Sequence, residues 1–227
     1  AEQGPEGRAE ARGVLEAELR RDPTNYQALD FEAELLVESR ESALATRLLE
    51  EYIRFYPEQS DATARLAWVQ WQTGRREDAL AELKATAARD PENRRAALWL
   101  TDWALETNDA PLAQQAASDG VEHHEGDPEL WTALARARDA AGKQSEARET
   151  FGRAMELGGG EDTAQHFARF LLNHNKAKQA WEIIRPYAEA PWPQPFSLLR
   201  GAESQFLLND PKPALALLSR FASMGEA

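Results

Sequence analysis

Four histidines, seven tryptophans, a triple glycine and 39 carboxylates are the residues of this 227-residue chain whose types invite chemistry. His123 and His124, flanked by Glu122 and Glu125, have the composition of a metal site. Adjacent helical residues, however, point about 100° apart and do not share an ion readily. They read as surface histidines at a helix end, where the dipole favours a positive charge. His166 and His174 share a helix face, but two turns of helix separate them by about 12 Å, too far for one ion. Gly158-Gly159-Gly160 is followed by no Lys-Ser or Lys-Thr and preceded by no strand. It reads as a flexible turn and not as a phosphate cradle. No Ser, His and Asp stand in a recognisable arrangement, and among so many carboxylates a given pair carries no information. The expectation is a chain without catalysis, metal or cofactor.

Composition narrows the partners. The formal net charge of -13 argues against nucleic acid or an anionic membrane, both of which call for a surplus of Lys and Arg. The absence of cysteine excludes disulfides, thiolate zinc and thiol catalysis. No apolar run approaches the roughly 20 residues of a membrane span, and no signal peptide is visible, so a targeting segment would lie outside this chain.

The elements that position these residues follow from a repeat. Ala11, Ala45, Ala79, Ala113, Ala147, Ala180 and Ala214 are spaced by 34, 34, 34, 34, 33 and 34 residues. Five residues before six of these alanines stand Arg40, Gly74, Asn108, Gly142, Asn175 and Asn209. Five of those six are types that tolerate a left-handed backbone and close a helix. Each unit is therefore a pair of helices, the second restarting at a cap such as Asp109 with Pro111 in its first turn. The first ten residues are polar and should be frayed, with a helix from about Arg8 to Asp22-Pro23. Trp99, Trp103, Trp131 and Trp181 read as core or inter-repeat packing. The proline-rich turn Ala190-Pro191-Trp192-Pro193-Gln194-Pro195 should set the angle between the last two units, with Trp192 packed as a plug.

This period, with small residues on facing surfaces, Gly or Asn at the inter-helix turn and Asp-Pro at the end, resembles the tetratricopeptide repeat. Trp131, Leu134, Ala135, Gly142, Ala147, Phe151 and Ala154 fall at the family's spacings, as do Leu66, Ala67, Gly74, Ala79, Leu83 and Pro91. The resemblance implies an all-α, right-handed superhelical solenoid of antiparallel helix pairs. Residues 1–25 would hold an unpaired second helix, followed by repeats at 26–59, 60–93, 94–127, 128–160, 161–194 and 195–227. The first helix of each unit would line a concave groove. At the groove positions the N-terminal end is acidic through Asp30, Glu34 and Asp61, and Trp68 and Trp71 make the middle aromatic. Asp102 follows, then Arg136 and Arg169 make the next stretch cationic. Trp68 and Trp71 either bind a partner there or pack against the neighbouring repeat.

Some family members grip acidic chaperone tails with Lys, Asn and Arg. Asp30 and Glu34 stand where such a clamp would begin, so a partner segment with a basic or apolar part suits the N-terminal half better. The function implied is a non-catalytic scaffold for a protein or peptide partner, part of a larger bacterial protein in envelope assembly or exopolysaccharide export. The periplasm is favoured over the cytoplasm on family habit. Two alternatives stand beside it. One is self-association through the array ends near Ala11 and Phe221, where no polar capping helix is visible. The other is a carbohydrate-contacting periplasmic module using Trp68 and Trp71.

Overall fold

Left-handed backbone at six regularly spaced residues sets the architecture. In a computed structural model of the protein, which describes residues 5–224, Arg40, Asn108, Asn175 and Asn209 have φ of 63°, 58°, 58° and 60°, and Gly74 and Gly142 have 83° and 74°. At each of them the next residue's N–H reaches back five residues, as from Arg75 to the Gln70 carbonyl at 2.9 Å and from Lys143 to the Arg138 carbonyl at 2.9 Å. The last carbonyls of one helix are thus satisfied while the chain reverses. Arg40 obeys the rule without being Gly or Asn, and the same bond, from Glu41 to the Leu36 carbonyl, measures 2.7 Å.

The described residues form thirteen helices and no strand. Helix α1 (Pro5–Arg21) precedes α2 (Tyr26–Glu38) with α3 (Ser42–Phe55), and α4 (Ser60–Gln72) with α5 (Arg76–Arg89). Then come α6 (Arg94–Glu106) with α7 (Ala110–His123), and α8 (Pro128–Ala140) with α9 (Gln144–Glu156). Helices α10 (Gly160–Asn173) with α11 (Ala177–Ala188) and α12 (Pro195–Leu207) with α13 (Pro211–Met224) complete the order. The protein is an all-α array of helix pairs. Helix α1 begins three residues before the expected start. The expectation of a frayed beginning otherwise falls on residues 1–4, outside the described residues. Pro5 suits the first turn because its missing N–H has no intrahelical partner there. Asp109 caps α7 by accepting from Leu112 N–H at 3.1 Å, and Asp127 caps α8 from Glu129 and Leu130 at 2.8 and 3.2 Å.

The chain divides into two compact units, Ala1–Trp103 and Ala104–Ala227. In unit 1 the core is Leu29, Leu36, Leu49, Tyr52, Leu66 and Val69 around Ala33, Ala45 and Ala62. In unit 2, Phe151, Phe167, Phe170, Leu171 and Ile184 pack around Ala135, Ala147 and Ala180. Ala45, Ala79, Ala113, Ala147 and Ala180 have no exposed surface, so a methyl is all that each helix contact admits. Among the described residues no helix is long and apolar enough to cross a membrane, and no three His, Asp or Glu side chains converge as a metal site would.

Two expectations need correction. Trp192 is no plug: it is 93% exposed, because Pro191 and Pro193 on either side carry it on a bent connection outside the helix pair. The triple glycine is more specific than a flexible turn. Gly158 and Gly160 take φ of 88° and 63°, and a Cβ on Gly159 would overlap Thr163 and come within 2.9 Å of the Ala154 carbonyl oxygen.

Arg40 holds an L side chain in a conformation disfavoured by about 1–2 kcal/mol, and it lies exposed. Arg40→Gly is therefore expected to raise stability by about 0.5–1 kcal/mol in urea melts, whereas Gly74→Ala should lower it by a similar amount.

Candidate functional site

The first helices of unit 1 carry a buried charge cluster. Asp30 on α2 meets Arg65 on α4, 35 residues on, and Arg95 on α6, 65 residues on; those intervals are one residue more than one 34-residue repeat and three fewer than two, near enough in phase to share a face. Arg65 Nε and Nη2 donate to the two Asp30 carboxylate oxygens at 2.5 and 2.7 Å. Arg95 Nη1 and Nη2 donate to the same two oxygens at 2.7 and 3.2 Å. The Tyr26 hydroxyl donates to Asp30 Oδ1 at 2.8 Å and accepts from Arg95 Nη1 at 2.5 Å. Burial by itself pushes the Asp30 carboxyl up. The Arg65 hydrogen bonds and the charges of both arginines outweigh that and hold it below the usual range. Burial, reinforced by the Asp30 charge, raises the Tyr26 phenol far above its ordinary value, so it stays protonated.

Aromatic rings extend this cluster. The Arg65 guanidinium lies 4.7 Å from the Trp68 ring centre and 5.3 Å from that of Trp99, and Arg95 lies 5.4 Å from Trp99 and 5.7 Å from Tyr26. Trp68 and Trp99 are stacked at 6.5 Å, Trp99 and Trp103 at 6.1 Å, and Trp103 and Trp71 at 4.5 Å with 4° between the planes. A guanidinium within about 6 Å of an aromatic face is attracted by the ring quadrupole, more strongly when desolvated. Arg65, only 6% exposed, is in that regime.

Of the residues expected in the groove, unit 1 brings Asp30, Asp61 and Trp68 together on its first-helix face. Asp61 accepts from Asn93 Nδ2 at 3.3 Å, and its carbonyl oxygen lies 3.0 Å from the Tyr26 hydroxyl. Trp71, 9% exposed, packs flat against Trp103. Asp30 is occupied by two arginines, so the acidic end is locally neutralised. Glu34 and Asp102 are half-buried. In unit 2, Arg136 on α8 and Arg169 on α10 line one cavity.

Sequence reasoning missed Arg65 and Trp99. Arg65 was discoverable, because a lone charge inside the small and apolar run Ala64 to Val69 requires a buried partner.

A second buried carboxylate behaves in the opposite way. Arg12 on α1 lies 3.2 Å from Glu32 Oε1 on α2 and also pairs with Glu16 and Glu41, while Glu32 Oε2 is buried without a hydrogen-bond partner. Burial pushes the Glu32 carboxyl up, and the Arg12 charge offsets this only in part.

These helix pairs define the class of the protein, an all-α helical repeat array, and comparison gives the family. The tetratricopeptide repeat profile matches residues 36–99 and 71–137. A tetratricopeptide repeat protein from Parabacteroides merdae superposes with a TM-score of 0.70 at 16% identity over 96% of this chain and 87% of that one. The pilF structure of Pseudomonas aeruginosa gives 0.67 at 19% identity, covering 96% and 93%. Residues 36–137 thus carry tetratricopeptide repeats, and the solved structures share the fold over nearly the whole chain. The chain is also similar to cellulose synthase operon protein C of Pseudomonas fluorescens, 29% identical over 126 residues, 56% of this chain. It spans 10% of the length of that curated relative.

Two expected outcomes follow from the carboxylates. Asp30→Ala leaves a buried Arg65 without its counter-ion and should cost about 3–5 kcal/mol in chemical denaturation. The raised Glu32 value means that the folded form binds a proton more tightly than the unfolded one. Its stability contribution is therefore full below the ordinary carboxyl range near ~4.3 and is lost as pH rises through the raised folded value. Glu32→Gln should accordingly melt higher than the parent protein at pH 7, with the difference closing by about pH 4.

Proposed function

We propose that this chain is a non-catalytic interaction module that holds a segment of a protein partner along its first-helix faces. The observation carrying this reading is the wall of Tyr26, Arg65, Trp68, Arg95 and Trp99, locked in place around Asp30. Trp, Tyr and Arg are the types that dominate binding hot spots, and side chains already immobilised lose little entropy when a partner arrives. Trp68 and Trp99 remain half-exposed, as do Glu34 and Asp102 on the same first helices. That surface combines aromatic faces with carboxylates and suits a segment bearing apolar and basic side chains. Arg136 and Arg169 extend the reading to unit 2 with the opposite charge.

The similarity to cellulose synthase operon protein C supports a setting in the assembly or export of bacterial exopolysaccharide. It also supports a second reading, in which Trp68 and Trp99 stack on sugar rings.

A displayed random-peptide library selected on the immobilised protein tests the first reading. Enriched peptides should carry Lys or Arg beside an aromatic or aliphatic residue. Their affinity should fall about tenfold or more with Glu34→Lys, a charge reversal away from the core. Peptides that bind parent and Glu34→Lys proteins equally would remove this face from consideration. Soluble cello-oligosaccharides that quench tryptophan fluorescence at millimolar concentration would put the second reading first.

A further inference from the structure

Helix α1 meets α2 and α3 through a seam that is loose in apolar contact and bridged by charge. Ala11, its member of the alanine row, is half-buried, whereas Ala45, Ala79, Ala113, Ala147 and Ala180 have no exposed surface. None of the described side chains of α1 is fully buried. Two open cavities of about 410 and 260 Å³ lie along the seam, and Leu19 and Leu48 line both. Apolar surfaces that do not close on each other forfeit dispersion contacts. What crosses the seam instead is Arg12. Its guanidinium is shared among Glu16 on α1 at 3.1 Å, Glu32 on α2 at 3.2 Å and Glu41 ahead of α3 at 3.0 Å. Glu32 occupies a core position: Leu66, Leu100, Leu134 and Phe167, all buried, stand in its place in the four units that follow. A carboxylate there, 3% exposed and with Oε2 lacking a hydrogen-bond partner, departs from the pattern and destabilises the docked helix. That penalty vanishes once α1 lifts, because water then reaches the carboxylate.

We propose that α1 is a releasable cover, latched through Arg12 and Glu32, that lifts from α2 and α3 as the pH rises. Burial disfavours the charged form of Glu32, and Glu16 and Glu41, which share Arg12 with it, add to that; the Arg12 charge opposes them only in part. The docked cover therefore binds a proton at Glu32 more tightly than the lifted one, in which the carboxylate is in water. Docking is most favoured while Glu32 is neutral in both states, and it weakens as the pH rises through the raised docked value. The other charged groups facing Glu32 across the larger cavity, Arg20 on α1 and Arg47 and Glu51 on α3, are exposed at its rim, where water screens them. Lifting α1 uncovers Glu32 and Leu36 on α2 and opens access to Leu44 and Leu48 on α3, an apolar strip with one carboxylate. The connection after α1 stays in place as the pivot, since the Tyr52 hydroxyl donates to the Thr24 carbonyl at 3.2 Å.

Hydrogen exchange followed by mass spectrometry on the full chain, from about pH 5 to about pH 8, reads the latch once rates are corrected for the intrinsic pH dependence of exchange. Protection of α1 should fall several-fold across that range while protection of α4 in the same unit holds steady. Glu32→Leu, which gives α2 the residue of the units that follow, should remove the pH dependence. It should also raise α1 protection at the alkaline end about tenfold or more, the range that relief of a buried unsatisfied group commands. Glu32→Gln, closer in shape, should remove the pH dependence as well, so that a packing defect in one variant does not decide the matter. An α1 whose protection follows that of α4 at every pH opens only with the whole unit, and an α1 unprotected throughout is never latched; either result would overturn the proposal. So would a pH dependence of α1 that survives in both variants.

Discussion

A methyl group at the contact between helices is the constraint on which the rest of this structure depends. Ala45, Ala79, Ala113, Ala147 and Ala180 are completely buried, and any larger side chain would separate the helices that meet there. Close approach at these points makes each helix pair a rigid unit of 13 or so residues per helix. The reversal within it must then be short and of one shape. Left-handed residues five positions earlier provide that shape, with the same hydrogen bond repeated from Glu41 to Asp210. Because the geometry recurs, a row of equivalent positions on the first helices becomes a surface. Its composition is free to vary, since the scaffold does not depend on it.

That freedom is visible in one row. Glu34, Trp68, Asp102, Arg136, Arg169 and Glu203 occupy the same place in successive repeats and do different things. Trp68 stacks on Trp99 and under Arg65, whereas Arg136 and Arg169 stand at the rim of a cavity. Neighbouring positions show a similar contrast. Asp30 lies at the centre of a hydrogen-bonded cluster, and its charge is balanced by Arg65 and Arg95 within the wall. Ion pairs removed from water give little net stability, so this cluster is better understood as fixing the rings of Tyr26, Trp68 and Trp99 in one arrangement. Preorganisation of that kind belongs to a binding surface more than to a core, because a core of similar volume is made more simply from aliphatic side chains.

The two buried carboxylates near the N-terminal end illustrate why charge counted along a sequence is a poor guide to charge on a surface. Asp30 has two arginines and a phenol and is held ionised; Glu32, two residues away on the opposite side of α2, has a shared arginine and an orphaned oxygen and is pushed towards its neutral form. An acidic stretch read as Asp30, Glu34 and Asp61 is therefore, in three dimensions, one neutralised aspartate, one asparagine-bonded aspartate and one half-exposed glutamate.

Periodicity was sufficient, from the sequence, for the number of helix pairs, the place of each reversal and the buried alanine in every unit. These are local requirements of sterics and backbone conformation, and Arg40 shows that they hold even where the residue type departs from the rule. A row of equivalent first-helix positions was also legible, since a helical period carries a face with it. Which members of that row face water was not. Trp68 and Trp71 are three residues apart and indistinguishable by pattern, yet one stays half-exposed and the other is buried flat against Trp103. Trp192, flanked by prolines, looked like a plug and is exposed. Such outcomes depend on what the next repeat places opposite: Arg95 for Asp30, Trp103 for Trp71, nothing for Trp192. Pairings between side chains 30 to 70 residues apart are set by how helices stack, and only the tertiary structure decides them.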